Sequence, residues 1–243
     1  MNSGPIRPVW LEKVPEEEWS VYEPVLKEAQ SAGVRFALGG AFALATYTDH
    51  LRNTKDLDIY VLPSQRELMV SVVGKCGLED MYSRLPYDRG WIYRACCESR
   101  IVDIIWAMPN RRSTVDLDWL TRGPEIEARG YALRILPIEE LFWAKLYVMQ
   151  RERCDWPDIL NLLYYSGGRI NWEQLLARVG DDFPLLTAVL TVFSWLCPER
   201  AEQLPSWLWN RLGMKSKPAD CGSRSHLLDT RPWFGADFPR WPD

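Results

Sequence analysis

Histidine is almost missing from this chain: His50 and His226 are its two in 243 residues. That scarcity argues against an imidazole-based nucleophile or a histidine metal site. Six cysteines (Cys76, Cys96, Cys97, Cys154, Cys197 and Cys221) include no C-x-x-C pair, and Cys96 and Cys97 are adjacent. Such spacing suits neither a disulfide framework nor a zinc centre, and the thiols read as buried or idle. No stretch approaches the ~20 continuous apolar residues of a membrane span, and "MNSGPIRPVWLEKVPEEEW" has no apolar run of signal-peptide length, so a cytoplasmic protein with no membrane partner is expected. An excess of positive charge is missing too. With 29 basic and 33 acidic residues, the net charge of -4 gives no global pull toward nucleic acid and leaves room only for local patches. No internal repeat is evident.

What is present is a core-forming composition, 47% hydrophobic, arranged in two textures. Residues 15–32 read as an acid-started amphipathic helix with Pro24 inside it and Gly33 as its stop. "VRFAL" reads as a strand, Gly39-Gly40 as a turn, and "AFALATY" as the helix that follows. "DLDIYVLP" is a strand stopped by Pro63, and Ser64 and Glu67 have the spacing of a capping box for a helix that runs to Gly74 or Gly77. "WIYRACC" and "RIVDIIWAM" form one expected hairpin, and "EIEA" and "YALRIL" a second. From Pro137 onward the segments "PIEELFWAKLYVMQRER", "DWPDILNLLYYSG", "NWEQLLARV", "FPLLTAVLTVFSWL" and "PERAEQLPSWLWNRLG" all read as helices. The division is therefore a core over 1–136, a helical domain over 137–213, and a loosely ordered or draping tail over 214–243.

The chemistry gathers on the strands. Side chains alternate along a strand, so Asp56 and Asp58 project from one face while Leu57 and Ile59 take the other. Two like charges so close need a cation, and a hard divalent ion such as Mg2+ (or Mn2+) takes oxygen ligands of this kind. Asp103 interrupts the apolar run "RIVDIIWAM". An aspartate buried there without a partner would cost several kcal/mol, and an ion held by Asp56 and Asp58 is one partner. Three such carboxylates can hold two ions in the manner of phosphoryl-transfer sites. Gly39 and Gly40, lacking side chains, allow a phosphate close to the backbone at a helix start. Arg52 and Lys55 are placed to screen a triphosphate or else are solvated loop charges, and Thr54 can hydrogen-bond there or brace the loop.

A Gly-Gly turn, a helix, the R-x-T-x-D-hydrophobic-D element from Arg52 to Asp58, and the later strand aspartate Asp103 together resemble the nucleotidyltransferases of the DNA polymerase β superfamily over residues 34–106. The resemblance implies an α+β fold, a polymerase-β-like core with a mixed β-sheet flanked by helices, followed by a C-terminal helical domain. It implies that Asp56, Asp58 and Asp103 bind divalent ions, that a nucleoside triphosphate sits against the glycine turn, and that an acceptor hydroxyl attacks the α-phosphate with release of pyrophosphate. Asp103 is then the candidate general base.

The helix "EELFWAKLYVMQRERCDWPDI" is similar to one in abortive-infection type toxins and related small transferases. There a lysine and a downstream acid complete the nucleotide pocket, which implies Lys145 with Asp155 or Asp158, and admits an antitoxin-like protein partner. Read from the residues alone, Lys145 either lies along the surface or reaches a cleft, and the two aspartates equally make an acidic first helical turn. The expected activity is metal-dependent transfer of a nucleoside monophosphate to a hydroxyl of RNA, protein or a small molecule. The competing expectation is a non-catalytic nucleotide-binding or regulatory protein that keeps the fold.

Overall fold

Acidic residues gather where the helix dipole favours them: α1, Glu16–Ser31, carries Glu16, Glu17 and Glu18 in its first turn, and Gly33 ends it at φ 73°. Pro24 sits on its exposed face, where water can take up the carbonyl that a proline leaves without an N–H. The structure, a computed structural model, describes residues 7–51, 54, 56–150, 153–214 and 222–228. These fall into two compact units, one reaching to Pro137 and the other beginning at Ile138.

The first unit is built on a five-stranded mixed sheet. Its strands are β1 (Phe36–Leu38), β2 (Asp56–Val61), β3 (Glu79–Asp80), β4 (Ile92–Cys97) and β5 (Arg100–Ile105), in the order β1-β2-β5-β4-β3. Only β2 and β5 run parallel; the other neighbours are antiparallel. Between β1 and β2 lies α2 (Gly40–Thr48), and after β2 comes α3 (Arg66–Lys75). One face of the sheet carries Leu57, Ile59, Val102 and Ile104, all fully buried. Each such side chain contributes roughly 1.5–3 kcal/mol of burial, and α1 and α3 pack against β5. A short α4 (Leu117–Thr121) and a two-stranded ribbon, β6 (Glu125–Ala128) with β7 (Tyr131–Arg134), complete the unit. The ribbon turns through Arg129 and Gly130, both at positive φ, which is the geometry a two-residue hairpin loop requires.

The second unit is helical: α5 (Ile138–Leu146), α6 (Trp156–Ser166), α7 (Trp172–Val179), α8 (Phe183–Leu196), α9 (Pro198–Ala201) and α10 (Ser206–Arg211). The chain is thus α+β, a mixed sheet flanked by helices followed by a helical half. No described helix is long and apolar enough to cross a membrane. The described cysteines are free thiols.

Three local readings are corrected. The Ser64–Glu67 capping box does not form, because Pro63–Gln65 makes a 3-10 turn, Gln65 becomes the N-cap without a side-chain bond, and Glu67 pairs with Arg66. The helix expected through "VMQRER" stops at Leu146, where the chain folds back through a bridge between Met149 and Cys154. "PERAEQLPSWLWNRLG" is two helices because Pro205 cannot continue the first.

Candidate active site

Register brings the aspartates together. In the parallel pair β2/β5, Asp58 stands directly opposite Asp103, and Asp56 opposite Ile101. Carboxylate oxygens of Asp56, Asp58 and Asp103 lie within 4.8 Å of one another. Asp58 and Asp103 are buried, at 7% and 1% exposure, and Asp56 is half-buried. The opposite face of both strands is committed to the core, so neither strand can slip by one residue without burying charge in the apolar layer.

The glycine pair has a reason in packing that spacing alone does not reveal. A Cβ on Gly40 would lie 1.7 Å from Asp58 Oδ2, and Gly40 has φ 52°. A Cβ on Gly39 would lie 2.2 Å from the Tyr60 ring, and Gly39 N donates to Asp58 O at 2.9 Å. The glycines let α2 start directly against the aspartate strand. Beyond Asp58, Tyr60 stacks on Trp119 of α4 at 5.6 Å, closing that part of the face. Thr54 is buried, and its hydroxyl donates to an Asp56 carboxylate oxygen, bracing the start of β2. Arg52 and Lys55 lie outside the described residues.

Arg94 is the residue the sequence reading did not single out. It stands opposite Asp103 across the β4/β5 pair, with Nε donating to Oδ1 at 2.8 Å and Nη2 to Oδ2 at 2.6 Å. This fork is the partner that a buried Asp103 demands. The hydrogen bonds to Asp103 push the Arg94 guanidinium further up, with the charges of Asp103, Asp56 and Asp58 adding to them and burial opposing. A basic residue alternating with apolar ones in "IYRACC" was the available signal; identifying its target required the register.

Tyr22 of α1 is fully buried, and its hydroxyl has no hydrogen-bond partner among the described residues. Burial first, then the charges of Glu18, Asp56 and Asp58, push that phenol well above its ordinary range. A buried hydroxyl left in the field of three acids is the kind of orphan that a bound water or ion resolves. The donor set, all carboxylate oxygen, fits a hard divalent cation.

Lys145, Asp155 and Asp158 belong to the second unit and form a cluster of their own. Lys145 is buried at 3% exposure rather than lying along the surface, and its ammonium donates to Asp155 Oδ2 at 3.1 Å and Asp158 Oδ2 at 2.6 Å. Arg153 donates to Asp155 Oδ1 at 3.1 Å. Burial pushes the Asp155 carboxyl up, but Lys145 and Arg153 outweigh it and hold the carboxyl at about 2. The acids at the head of α5 are buried as well: Glu139 accepts from Asn171 N at 2.7 Å, and Glu140 from Gln174 Nε2 at 2.9 Å, tying α5 to α7. Trp143 and Tyr147 share a hydrogen bond, and Tyr147 donates to Asp182 at 2.6 Å.

No protein-family model and no curated protein matches the chain. Among solved structures, the solution structure of the antibiotic-resistance factor ANT(2'')-Ia is 12% identical, covering 72% of this chain and 96% of that one with a TM-score of 0.48. The lincosamide antibiotic adenylyltransferase LnuA, lincomycin-bound, is 17% identical over 61% of this chain and 96% of that one, with a TM-score of 0.43. JHP933 from Helicobacter pylori is 15% identical over 73% and 79%, with a TM-score of 0.40. These are likenesses of chain course, and the site's chemistry rests on its own side chains.

Proposed function

We propose that this chain is a nucleotidyltransferase that moves a nucleoside monophosphate from a nucleoside triphosphate to a hydroxyl acceptor and releases pyrophosphate. The observation that carries the reading is the convergence of Asp56, Asp58 and Asp103 within 4.8 Å on one sheet face, beside a helix that starts at a glycine pair. Asp56 and Asp58 would hold a divalent ion, Mg2+ or Mn2+, with Asp103 as the third carboxylate of the set. When bound, such an ion polarises phosphoryl oxygens and offsets their charge.

The chain's own residues supply the remainder. Backbone N–H groups at the start of α2 are assigned to phosphate oxygens, and Gly39 and Gly40 let that helix start directly against Asp58 and Tyr60. Thr54 braces Asp56, and Arg52 and Lys55 are assigned to the triphosphate. The acceptor oxygen forms its new bond to the α-phosphorus as the bond to the bridging oxygen of pyrophosphate breaks. Asp103 is assigned as acceptor of the hydroxyl proton: a carboxylate offers about four lone-pair sites, and Arg94 engages two of them. Lys145 and the Asp155/Asp158 pair are proposed to contribute to nucleotide binding by fixing the shape of their own unit, their charges being already matched.

Incubating the full chain with each α-labelled triphosphate, Mg2+ and pools of RNA, protein and hydroxylated small molecules, an aminoglycoside and a lincosamide among them, tests this reading. Label transfer matched by pyrophosphate release supports it. Nucleotide binding without either, across all four triphosphates and all pools, would instead favour a regulatory nucleotide-binding protein.

A further inference from the structure

In the helical unit, Arg153, Arg169, Arg178, Arg200 and Arg224 each meet a carboxylate, a hydroxyl, a carbonyl or an aromatic ring. The Arg211 side chain makes no hydrogen bond, ion pair or ring contact among the described residues, and neither does that of Asp181. Both line one cavity of about 440 Å3. We propose that this cavity is a binding site for a small zwitterion of dipeptide size with apolar side chains, its carboxylate on Arg211, its ammonium on Asp181 and its apolar body on Leu176, Phe183 and Leu212. The site lies wholly within the helical unit, and the assignment does not depend on the aspartate cluster of the sheet unit.

Helix ends converge on the cavity. The last turn of α7 gives Leu176, the reversal between α7 and α8 gives Gly180 and Asp181, the start of α8 gives Phe183, and the end of α10 gives Arg211 and Leu212. Gly180, at φ 54° and ψ -129°, makes that reversal in a conformation that side chains disfavour. Phe183 is 49% exposed and Leu176 is half-buried, so part of an apolar wall faces the cavity, and a ligand that covers it gains by removing it from water. Apolar side chains with a few polar groups, around a volume within ~300–1,000 Å3, are the character of small-molecule pockets. The charges then choose the ligand. One cation and one anion sum to zero, which disfavours a nucleotide or another multiply charged anion and suits a molecule carrying one charge of each sign. The guanidinium fork matches a carboxylate bidentately. Arg211 and Asp181 do not pair with each other and so stand apart, as the two ends of a dipeptide do and the two charges on the single carbon of an amino acid do not.

The test is isothermal titration calorimetry of the full chain with L-leucyl-L-phenylalanine, its C-terminal amide and its N-acetyl derivative. Wild type is expected to bind the free dipeptide saturably and at least tenfold more tightly than either blocked form. Arg211→Gln should weaken the free dipeptide at least tenfold and erase its advantage over the amide while keeping its advantage over the acetyl form; Asp181→Asn should do the converse. Both side chains are exposed, so the thermal midpoints of the variants are expected to match wild type, which separates loss of a ligand group from loss of fold. No saturable binding by wild type, equal affinity for all three compounds, or a folded Arg211→Gln that still prefers the free carboxylate overturns the proposal.

Discussion

Both units bury a cluster of carboxylates, and the clusters are resolved in opposite ways. In the helical unit one ammonium lies between Asp155 and Asp158, and Arg153 adds a second cation to Asp155. In the sheet unit Arg94 is committed to Asp103 through both of its oxygens, and Asp56 is met by the neutral hydroxyl of Thr54. The first arrangement answers its charges with local cations and behaves as a structural pin. The second gathers acids from two strands within 4.8 Å of one another, which repulsion alone would oppose, and is the arrangement that an added cation would complete.

The contrast can be broken most sharply at Asp58. Asp58→Asn removes a charged ligand with almost no change in volume, and nucleotidyl transfer should fall by ~10^3-fold, about 4 kcal/mol of transition-state stabilisation, with the thermal midpoint nearly unchanged. Parallel turnover and melting measurements check this. The reverse pattern is expected at Lys145. Lys145→Met takes the shared ammonium away from two buried carboxylates and should destabilise the chain by about 3–5 kcal/mol in urea unfolding, a large part of a typical total stability of ~5–15 kcal/mol.

Acid sharpens the comparison at a single group. Asp155 is held at about 2 in the folded chain, below its ordinary value near 3.8, so its contribution is fully present above pH ~4 and is lost as pH falls toward 2. The loss should be about 2 kcal/mol. Urea unfolding of wild type and Asp155→Asn between pH 5 and pH 2.5 should show the wild-type stability falling more steeply than the variant's. Gly40→Ala has a similar or smaller effect on stability, about 1–2 kcal/mol from its positive φ and the new Cβ, but it displaces the Asp58 carboxylate. Mn2+ affinity should therefore fall several-fold, measured as loss of the free-ion paramagnetic resonance signal when Mn2+ is titrated with the full chain.

Much of the sheet unit was legible because its signals are local. Alternation in "DLDIYV" and "RIVDII" marks the two strands and places their aspartates on one face, and Gly39-Gly40 marks the turn. What spacing could not contain is register. Asp58 opposite Asp103, and Arg94 opposite Asp103, are pairings between strands distant in sequence, so the partner of the buried aspartate stayed hidden until the sheet was assembled. Trp119 stacking on Tyr60 was hidden for the same reason. In the helical unit, periodicity found the helices but gave no means to see that Lys145 turns inward to two acids, since an apolar helix with one lysine fits a surface or a buried position equally well. The C-terminal tail, with Arg52 and Lys55, lies largely outside the described residues.

The central claim is that the Asp56/Asp58/Asp103 cluster drives nucleotidyl transfer, and the most direct measurement is single-turnover label transfer from α-labelled triphosphate, with pyrophosphate quantified, in wild type and in folded Asp58→Asn. The account predicts stoichiometric label and pyrophosphate in wild type and a loss of about three orders of magnitude in the variant. Equal transfer by both proteins, or no transfer by wild type with any triphosphate and acceptor pool, would contradict it.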